Sequence, residues 1–441
     1  MSRYADAFMT KVLEQIKYKK IHSTISRELN NHISELAGSY MEEGMEEEQA
    51  YDRAVEQMGD PVEIGRRLHK THRPKIEWSI VGLLAALVIF GLHIIFVYSS
   101  YYDDYTYFNR QLFFMGIGIA VLIFCCYFDY KRLERYCFPG YIAAYLAVFI
   151  TIIHNQKHFA RSYIEISGFN FRASYAVIPL LLLCYAGFIK RWCDGKPANI
   201  IKLLGLAVLP LFFILLEPTK AYIFVLGTGL LAMLTFGILG KAFKANKVKT
   251  LLILYGGLLA AVLLLYMRLV GISPYIKRFA VFLDPYKDPL GAGWQAVQVD
   301  KVKDSAKLLG AGSYFENKGV SFLPGTDSDF IFTFVVGKLG WLFGILLIGL
   351  LAAVIIRLFM ASWKVRDAFG KYLCLGICCV FSMQVIVNIL ISMGLFPPTS
   401  VPLPFFSYGG GNYLLNMALM GLLLGVYRRK DIIPDLDRIS Y

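Results

Sequence analysis

Apolar blocks alternate with short polar junctions along most of the chain, from Trp78 onward. A block of roughly 18 to 25 apolar residues can cross a hydrocarbon core of about 30 Å as a helix. By this criterion the sequence predicts about ten membrane-spanning helices. Their predicted limits are Trp78–Ser99, Leu112–Tyr127, Phe138–Ile153, Ala173–Ile189, Ile200–Leu216, Ala221–Leu239, Leu251–Met267, Phe330–Ile356, Leu373–Leu395 and Leu403–Val426.

The first 75 residues have a different pattern, which predicts a small helical domain over residues 1–75. Apolar positions such as Leu29, Ile33 and Leu36 recur at a helical period between charged residues. The stretch DPVE, residues 60–63, combines an N-cap carboxylate, a proline at the first helical position and a glutamate for a capping box.

Basic residues follow every second predicted span. They are Lys131, Arg132, Arg135, Lys190, Arg191, Lys196, Lys241, Lys244, Lys247, Lys249, Arg357, Lys364, Arg366, Lys371, Arg428, Arg429 and Lys430. Because basic junctions stay on the cytoplasmic side, the pattern predicts that both termini are cytoplasmic. Residues 76–430 then form the transmembrane domain, and residues 431–441 form a cytoplasmic tail.

Composition agrees with a membrane protein. The 441 residues are 57% hydrophobic and only 17% charged, whereas soluble domains carry about 25% charged residues. The net charge of +13 is dispersed over the cytoplasmic junctions, which argues against nucleic-acid binding. The predicted fold class is therefore all-α: a polytopic membrane protein with about ten spans and a small N-terminal helical domain.

One predicted outer segment, residues 270–329, is much longer than an ordinary connection, and loops of this length are commonly functional. Its turn residues predict a folded surface, which would place Arg278, Lys287 and Gln295 at the outer face of the membrane. The alternative interpretation is an ordinary ordered loop.

A second unusual segment, VPLPFFSYGGGN, covers residues 401–412 and adjoins the last apolar block. Its prolines cannot donate the bonds of a helix interior, and its three glycines allow positive φ and close backbone approach. Non-helical backbone at membrane depth is tolerated where it is buried or lines a cavity. We therefore predict a broken segment beside a cavity, with Tyr408 and Asn412 on its wall. The alternative is a tight turn that only shapes the last span.

Several stretches resemble the SEDS family of FtsW/RodA-type proteins, named for shape, elongation, division and sporulation. Near the C-terminus, the resemblance rests on VPLPFFSYGGGN and, before it, on Gln384, Asn388, Gly394-Leu395, Pro397 and Thr399. In the outer segment it rests on the pattern FLxPxxDPxGxGWQ over residues 282–295 and on Gly310-x-Gly312. It also includes Leu323-Pro324 and Asp329-Phe330-Ile331-Phe332. It covers roughly residues 78–430. The segment over residues 28–68 also resembles the small helical domain that precedes several bacterial permeases.

The resemblance implies a multi-pass protein of the bacterial cell membrane that polymerises lipid II, an undecaprenyl-diphosphate-linked precursor, together with a class B penicillin-binding protein. It implies that Asp329 is the catalytic carboxylate. The residues that we expect to bind substrate are Arg278, Lys287, Gln295, Arg161, Asn388, Ser407, Tyr408, Gly409, Gly410 and Asn412. No cofactor is evident in the sequence, although a divalent cation could assist departure of the diphosphate.

The chain departs from the family pattern near Asp329. Gly325 replaces a glutamate, and Gly337 and Lys338 replace a pair of glutamates. Three functions therefore remain open. The first is a divergent glycan polymerase, the second is a non-catalytic relative that binds lipid-linked precursor or a partner, and the third is a flippase or other transporter.

Overall fold

The structure is a computed structural model that describes residues 3–157, 164–166, 169–171, 173–193, 196–215, 221–240, 242–269, 282–291, 293–316 and 323–432. These residues form two compact units. The first contains residues 3–76, 365–367 and 427–432, and the second contains the described residues between 77 and 364 and those from 368 to 426. The predicted sites at Arg161 and Arg278 lie outside the described residues.

The first unit is a helical domain. Its helices are α1 (Arg3–Glu14), α2 (His22–Glu42), α3 (Glu47–Met58) and α4 (Pro61–His72). The DPVE stretch begins α4 as the sequence predicts, because the Asp60 side chain accepts a hydrogen bond from Val62 N at 3.0 Å. Buried residues between Ala5 and Val55 form its core together with Ile432 from the other end of the chain, and Ile64 and Leu68 of α4 pack against it partly buried. Asp431 adds an ion pair with Lys75 at 3.2 Å.

The second unit contains the remaining helices, most of them apolar. They are α5 (Trp78–Tyr102), α6 (Thr106–Tyr127), α7 (Tyr130–Glu134), α8 (Cys137–Lys157), α9 (Ala173–Arg191), α10 (Ala198–Leu215), α11 (Ala221–Leu239), α12 (Lys247–Leu269), α13 (Trp294–Ser305), α14 (Ser313–Glu316), α15 (Ile331–Leu339), α16 (Trp341–Trp363), α17 (Ala368–Ser392) and α18 (Gly410–Arg428). Six of these are long and apolar enough on their own to cross a membrane: α5, α6, α11, α12, α16 and α17.

The helical fold class is confirmed, and the apolar blocks correspond to helices in order. A short antiparallel hairpin, Ile164–Ile166 paired with Phe169–Phe171, stands between α8 and α9. Several predicted limits differ from the structure by a few residues, and two of the differences matter for the site. The block Phe330–Ile356 is broken at Gly340 into α15 and α16, and the last helix begins at Gly410 rather than at Leu403.

The break at Gly340 has a local cause. Gly340 has a φ of 100°, and a Cβ there would lie 2.6 Å from the carbonyl oxygen of Leu308, so the position requires glycine. The segment at residues 307–312 supplies hydrogen bonds to the broken ends: Gly310 N and Gly312 N donate to Leu339 O and Gly337 O, at 3.0 and 2.8 Å. The Gly310-x-Gly312 pattern therefore completes the end of α15.

Candidate functional site

Asp329 lies at the end of a turn, residues 324–330, that leads into α15. Gly325 has a φ of 80°, and its carbonyl oxygen accepts hydrogen bonds from Ser328 N at 3.0 Å and Phe330 N at 2.8 Å. The glycine that replaces the family's glutamate therefore shapes this turn. Asp329 is half-buried. The N-cap position of α15 is Phe330, so this helix boundary does not support a capping role for Asp329.

Three consecutive carbonyl groups in this turn are held by residues far along the chain. In order, Asp327 O accepts from Tyr408 N at 2.7 Å, Ser328 O accepts from Ser407 Oγ at 2.5 Å, and Asp329 O accepts from Asn388 Nδ2 at 2.9 Å. Ser392 Oγ donates a further hydrogen bond to Asp329 O at 3.3 Å. Because the backbone is fixed on both sides of Asp329, its carboxylate starts from a defined position.

Asn388 and Ser407 also bind the broken segment itself. Asn388 Nδ2 donates to Val401 O at 2.8 Å, and Ser407 Oγ accepts from Leu403 N at 2.7 Å. Both side chains are almost wholly buried, and a buried polar group is costly unless it is hydrogen-bonded. The structure thus places two predicted substrate-binding residues where they join α17 and the signature segment to the Asp329 turn. Their direct contact with substrate stays a prediction.

The broken segment is buried in protein from Val401 to Ser407, as irregular backbone at membrane depth requires. The three glycines allow positive φ, but among them only Gly409 has it, at 145°. Gly410 is needed for another reason, because a Cβ there would lie 2.2 Å from the ring of Phe114. Gly409 therefore allows a backbone turn, and Gly410 allows a close contact between α6 and α18.

Asn412, the last predicted residue of this segment, is buried in the first turn of α18. Its Oδ1 and its carbonyl oxygen both accept hydrogen bonds from Asn416 Nδ2, at 3.1 and 2.9 Å. Within the described part of the chain, Asn412 Nδ2 has no protein partner. A buried amide with an unused donor can bind a water molecule or a polar ligand.

Lys287 and Gln295 lie elsewhere in the outer segment. Lys287 is highly exposed in a short 3₁₀ turn, and it pairs with Asp284 at 3.4 Å. Gln295 is half-buried in the first turn of α13. Among the described residues, the recorded ion pair of Lys287 is local to its own turn, so the structure does not join this lysine to Asp329.

The sequence reasoning missed a second carboxylate, Asp327. Burial raises the pKa of this carboxyl above its usual range, and hydrogen bonds from Ser328 and from its own backbone offset this only in part. Tyr98 and Tyr107 lie within electrostatic range of Asp327, and the ring of Tyr107 packs edge-on against Tyr408 with centroids 5.0 Å apart. The five tyrosines between residues 98 and 107 were the available sequence signal.

The two replaced glutamates have distinct surroundings. Gly337 is buried, and a Cβ there would lie 2.5 Å from the ring of Phe315 and 2.6 Å from Val302, which leaves no space for a larger residue. Lys338 lies over the ring of Tyr101, with Nζ 4.3 Å from the centroid, an arrangement that stabilises a cation. Near its C-terminal end, α15 therefore carries a lysine at a position where the family pattern has a carboxylate.

Within the part of the chain that the structure describes, no group of three or more His, Cys, Asp or Glu residues could hold a metal ion.

A family model described as "Cell cycle protein", covering FtsW, RodA and SpoVE, matches residues 73–432. Among curated relatives, the probable peptidoglycan glycosyltransferase FtsW of Trichlorobacter lovleyi is 28% identical over 370 residues, covering 81% of this chain and 95% of that protein. Stage V sporulation protein E of Bacillus subtilis is 28% identical over 379 residues, covering 80% and 98%.

Solved structures share the fold. A chain from a structure described as a peptidoglycan synthase complex, coordinating polymerisation and crosslinking, matches with a TM-score of 0.67, at 23% identity, covering 80% of this chain and 98% of that chain. The rod shape determining protein RodA of Thermus thermophilus matches with a TM-score of 0.57, at 19% identity, covering 80% and 97%.

Proposed function

Because the chain belongs to the FtsW/RodA/SpoVE family, we propose that it is a peptidoglycan glycosyltransferase that polymerises lipid II. The observation that carries the proposal is the turn around Asp329, in which three successive carbonyl groups accept hydrogen bonds from Tyr408, Ser407 and Asn388. A base held in a fixed position accelerates a reaction by orientation as well as by proton transfer. The names of the bacterial FtsW relatives support the same reaction.

In this reaction Asp329 accepts the proton of the acceptor hydroxyl. The oxygen then forms the new glycosidic bond to the anomeric carbon of the donor, while the bond from that carbon to the diphosphate breaks. Cations stabilise the departing charge, and Arg278 and Lys287 are the residues proposed for this role. A divalent cation would travel with the diphosphate as part of the substrate, and titration with EDTA tests that requirement.

The lipid-linked donor and a growing glycan require the site to face the outside of the cell. The basic junctions support this orientation, with both termini in the cytoplasm. The partner that we propose is a class B penicillin-binding protein, which would cross-link the strands. The similarity to a peptidoglycan synthase complex supports this partner.

A second candidate function is a non-catalytic relative that binds lipid-linked precursor or a wall-synthesis partner. The observation that favours it is the absence of the two glutamates after Asp329, since Gly337 is packed against Phe315 and Lys338 lies over Tyr101. In that case the turn would bind the substrate without transferring the sugar.

The deciding experiment is a polymerisation assay with purified full-length protein and lipid II, with and without a class B penicillin-binding protein from the same cell. We expect glycan strands that depend on Asp329. Precursor binding without polymer under both conditions would select the non-catalytic function.

A further inference from the structure

The reaction described above uses Asp329 and leaves Asp327 without a role. Asp327 lies in the same turn, two residues away, so the two Cα atoms are at most about 7 Å apart. Its backbone is fixed by Tyr408 N at 2.7 Å, and its carboxylate accepts a hydrogen bond from Ser328 Oγ at 3.2 Å. A half-buried carboxylate with a fixed backbone, so close to the reacting group, is well placed to contact the substrate.

Tyr98 and Tyr107 lie within electrostatic range of this carboxylate, and their rings belong to an aromatic cluster. The ring of Tyr107 packs edge-on against Tyr408 at 5.0 Å and against Tyr98 at 5.3 Å, and Tyr98 packs against Phe334 of α15 at 5.2 Å. The rings therefore join the start of α6 to the signature segment. Tyr107 and Tyr408 are only half-buried, so both rings keep accessible surface.

We propose that Asp327, Tyr107 and Tyr408 form a subsite for one sugar ring of the glycan substrate, next to the sugar that reacts at Asp329. The proposal rests on the proposed function, because it takes the substrate to be a glycan. It goes further by assigning a subsite to residues outside the family signature, Asp327 and Tyr107.

The chemistry of the three residues fits a carbohydrate. A sugar ring has a rim of hydroxyl and amide groups and two faces of C–H groups. The carboxylate accepts hydrogen bonds from the rim, and such bonds to a charged group are stronger than neutral ones. Tyrosine rings offer an apolar face and a polar end in one rigid side chain. Burial raises the pKa of Asp327, and hydrogen bonds donated by a sugar would stabilise its ionised form.

Interface tyrosines can also serve only to anchor helices at the membrane surface. Tyr105 is the matched case, since it lies in the same segment, is 47% exposed, and packs against Phe96 rather than against the signature segment. Asp304 is the matched carboxylate, exposed on α13 of the outer segment. Substitutions at Tyr105 and Asp304 therefore serve as controls. They show whether a change in binding is specific to the subsite or follows from the loss of any tyrosine or any negative charge in this region.

The test measures binding of a soluble tetrasaccharide of alternating N-acetylglucosamine and N-acetylmuramic acid to full-length protein in nanodiscs. All variants carry Asp329→Asn, so that binding is read without turnover. We expect Asp327→Asn and Tyr107→Leu to weaken binding about tenfold, the usual effect of losing a hydrogen bond to a charged group or a well-packed contact. Tyr107→Phe, Tyr105→Leu and Asp304→Asn should bind as the Asp329→Asn parent does.

Equal binding by the parent, Asp327→Asn and Tyr107→Leu would overturn the proposal, as would a parent that does not bind the tetrasaccharide. Binding that appears only with added Mg²⁺ would also overturn it, because Asp327 would then act on a cation. Near-parental binding by Tyr107→Phe shows that the ring carries the contact, and thermal unfolding of Tyr107→Leu checks that this variant folds. If the wild type fails to polymerise lipid II while tetrasaccharide binding still depends on Asp327, the proposed function fails and the subsite stands. If the wild type polymerises lipid II but tetrasaccharide binding does not depend on Asp327, the proposed function stands and the subsite fails.

Discussion

The outer segment contains two turns that are both rich in glycine, proline and aspartate. They differ in which residues stabilise them. The turn at residues 284–291 is stabilised by its own residues: Gly291 N donates to Asp288 Oδ1 at 3.0 Å, and Lys287 pairs with Asp284 at 3.4 Å. The turn at residues 324–330 is held by residues some 60 to 80 positions away, on α17 and in the signature segment. Substitutions in the first turn should therefore have local effects, whereas those in the partners of the second should reach Asp329.

The largest effect is expected at Asp329 itself. Asp329→Asn keeps a side-chain oxygen of similar shape but cannot accept the acceptor's proton, so the polymerisation rate should fall by about 10²–10⁴-fold. Asp304→Asn, an exposed carboxylate on α13 of the outer segment, is the matched control, and its rate should stay close to that of the wild type. If Asp329→Asn is active while Asp329→Ala is merely less stable, the carboxylate is structural and the polymerase proposal loses its base.

The second prediction concerns Asn388, which donates to both Asp329 O and Val401 O. Asn388→Ala leaves two buried carbonyl groups without this donor, and we expect a loss of about 1–3 kcal/mol in the free energy of unfolding together with a lower rate. Asn416→Ala removes a buried amide whose recorded bonds lie within α18, so its rate should change less. Equal rates for these two variants would show that the bonds to the turn do not position Asp329.

The sequence predicted features that depend on neighbouring residues, and it missed features that depend on residues far apart in the chain. Apolar blocks predicted the membrane helices because burial in lipid is a property of each segment. The break at Gly340 was missed, since it depends on hydrogen bonds from residues 307–312. Asp327 and its tyrosines were missed as well, because Tyr107 and Tyr408 meet only in the fold. Asn388 and Ser407 were recognised by motif, but their bonds to the Asp329 turn needed coordinates.

A third prediction tests the close contact at the start of α18. Gly410→Val forces a side chain into the ring of Phe114, and overpacking of this kind typically costs about 1–3 kcal/mol. The double variant Gly410→Val with Phe114→Ala should recover part of that loss, as measured by thermal unfolding. Gly257→Val in α12, where a Cβ meets no atom within 4 Å, is the control. Absence of recovery in the double variant would mean that this contact does not limit the position.

The smallest effect is a pH dependence of stability at Asp327. Burial raises the pKa of this carboxyl in the folded protein, so the folded state holds the proton more tightly than the unfolded state does. Stability from this group is present below the unfolded pKa and is lost as the pH rises through the folded pKa. Asp327→Asn should therefore raise the melting temperature at neutral pH, and the gain should shrink toward about pH 4.

Asp304→Asn, an exposed carboxylate in the outer segment, provides the comparison in the same pH series. A gain for Asp327→Asn that stays constant with pH would contradict the assignment to this titration. A more stable variant that binds sugar less well would mean that the wild-type protein gives up stability at this position for function.

Ile432 belongs to the hydrophobic core of the N-terminal domain, where Asp431 also pairs with Lys75. During synthesis the helices α1 to α4 leave the ribosome first, yet this part of their core is translated only after every membrane helix. Chains that stall before residue 432 would thus carry an N-terminal domain with an open apolar surface. The core of this domain is therefore complete only after the whole membrane region has been translated.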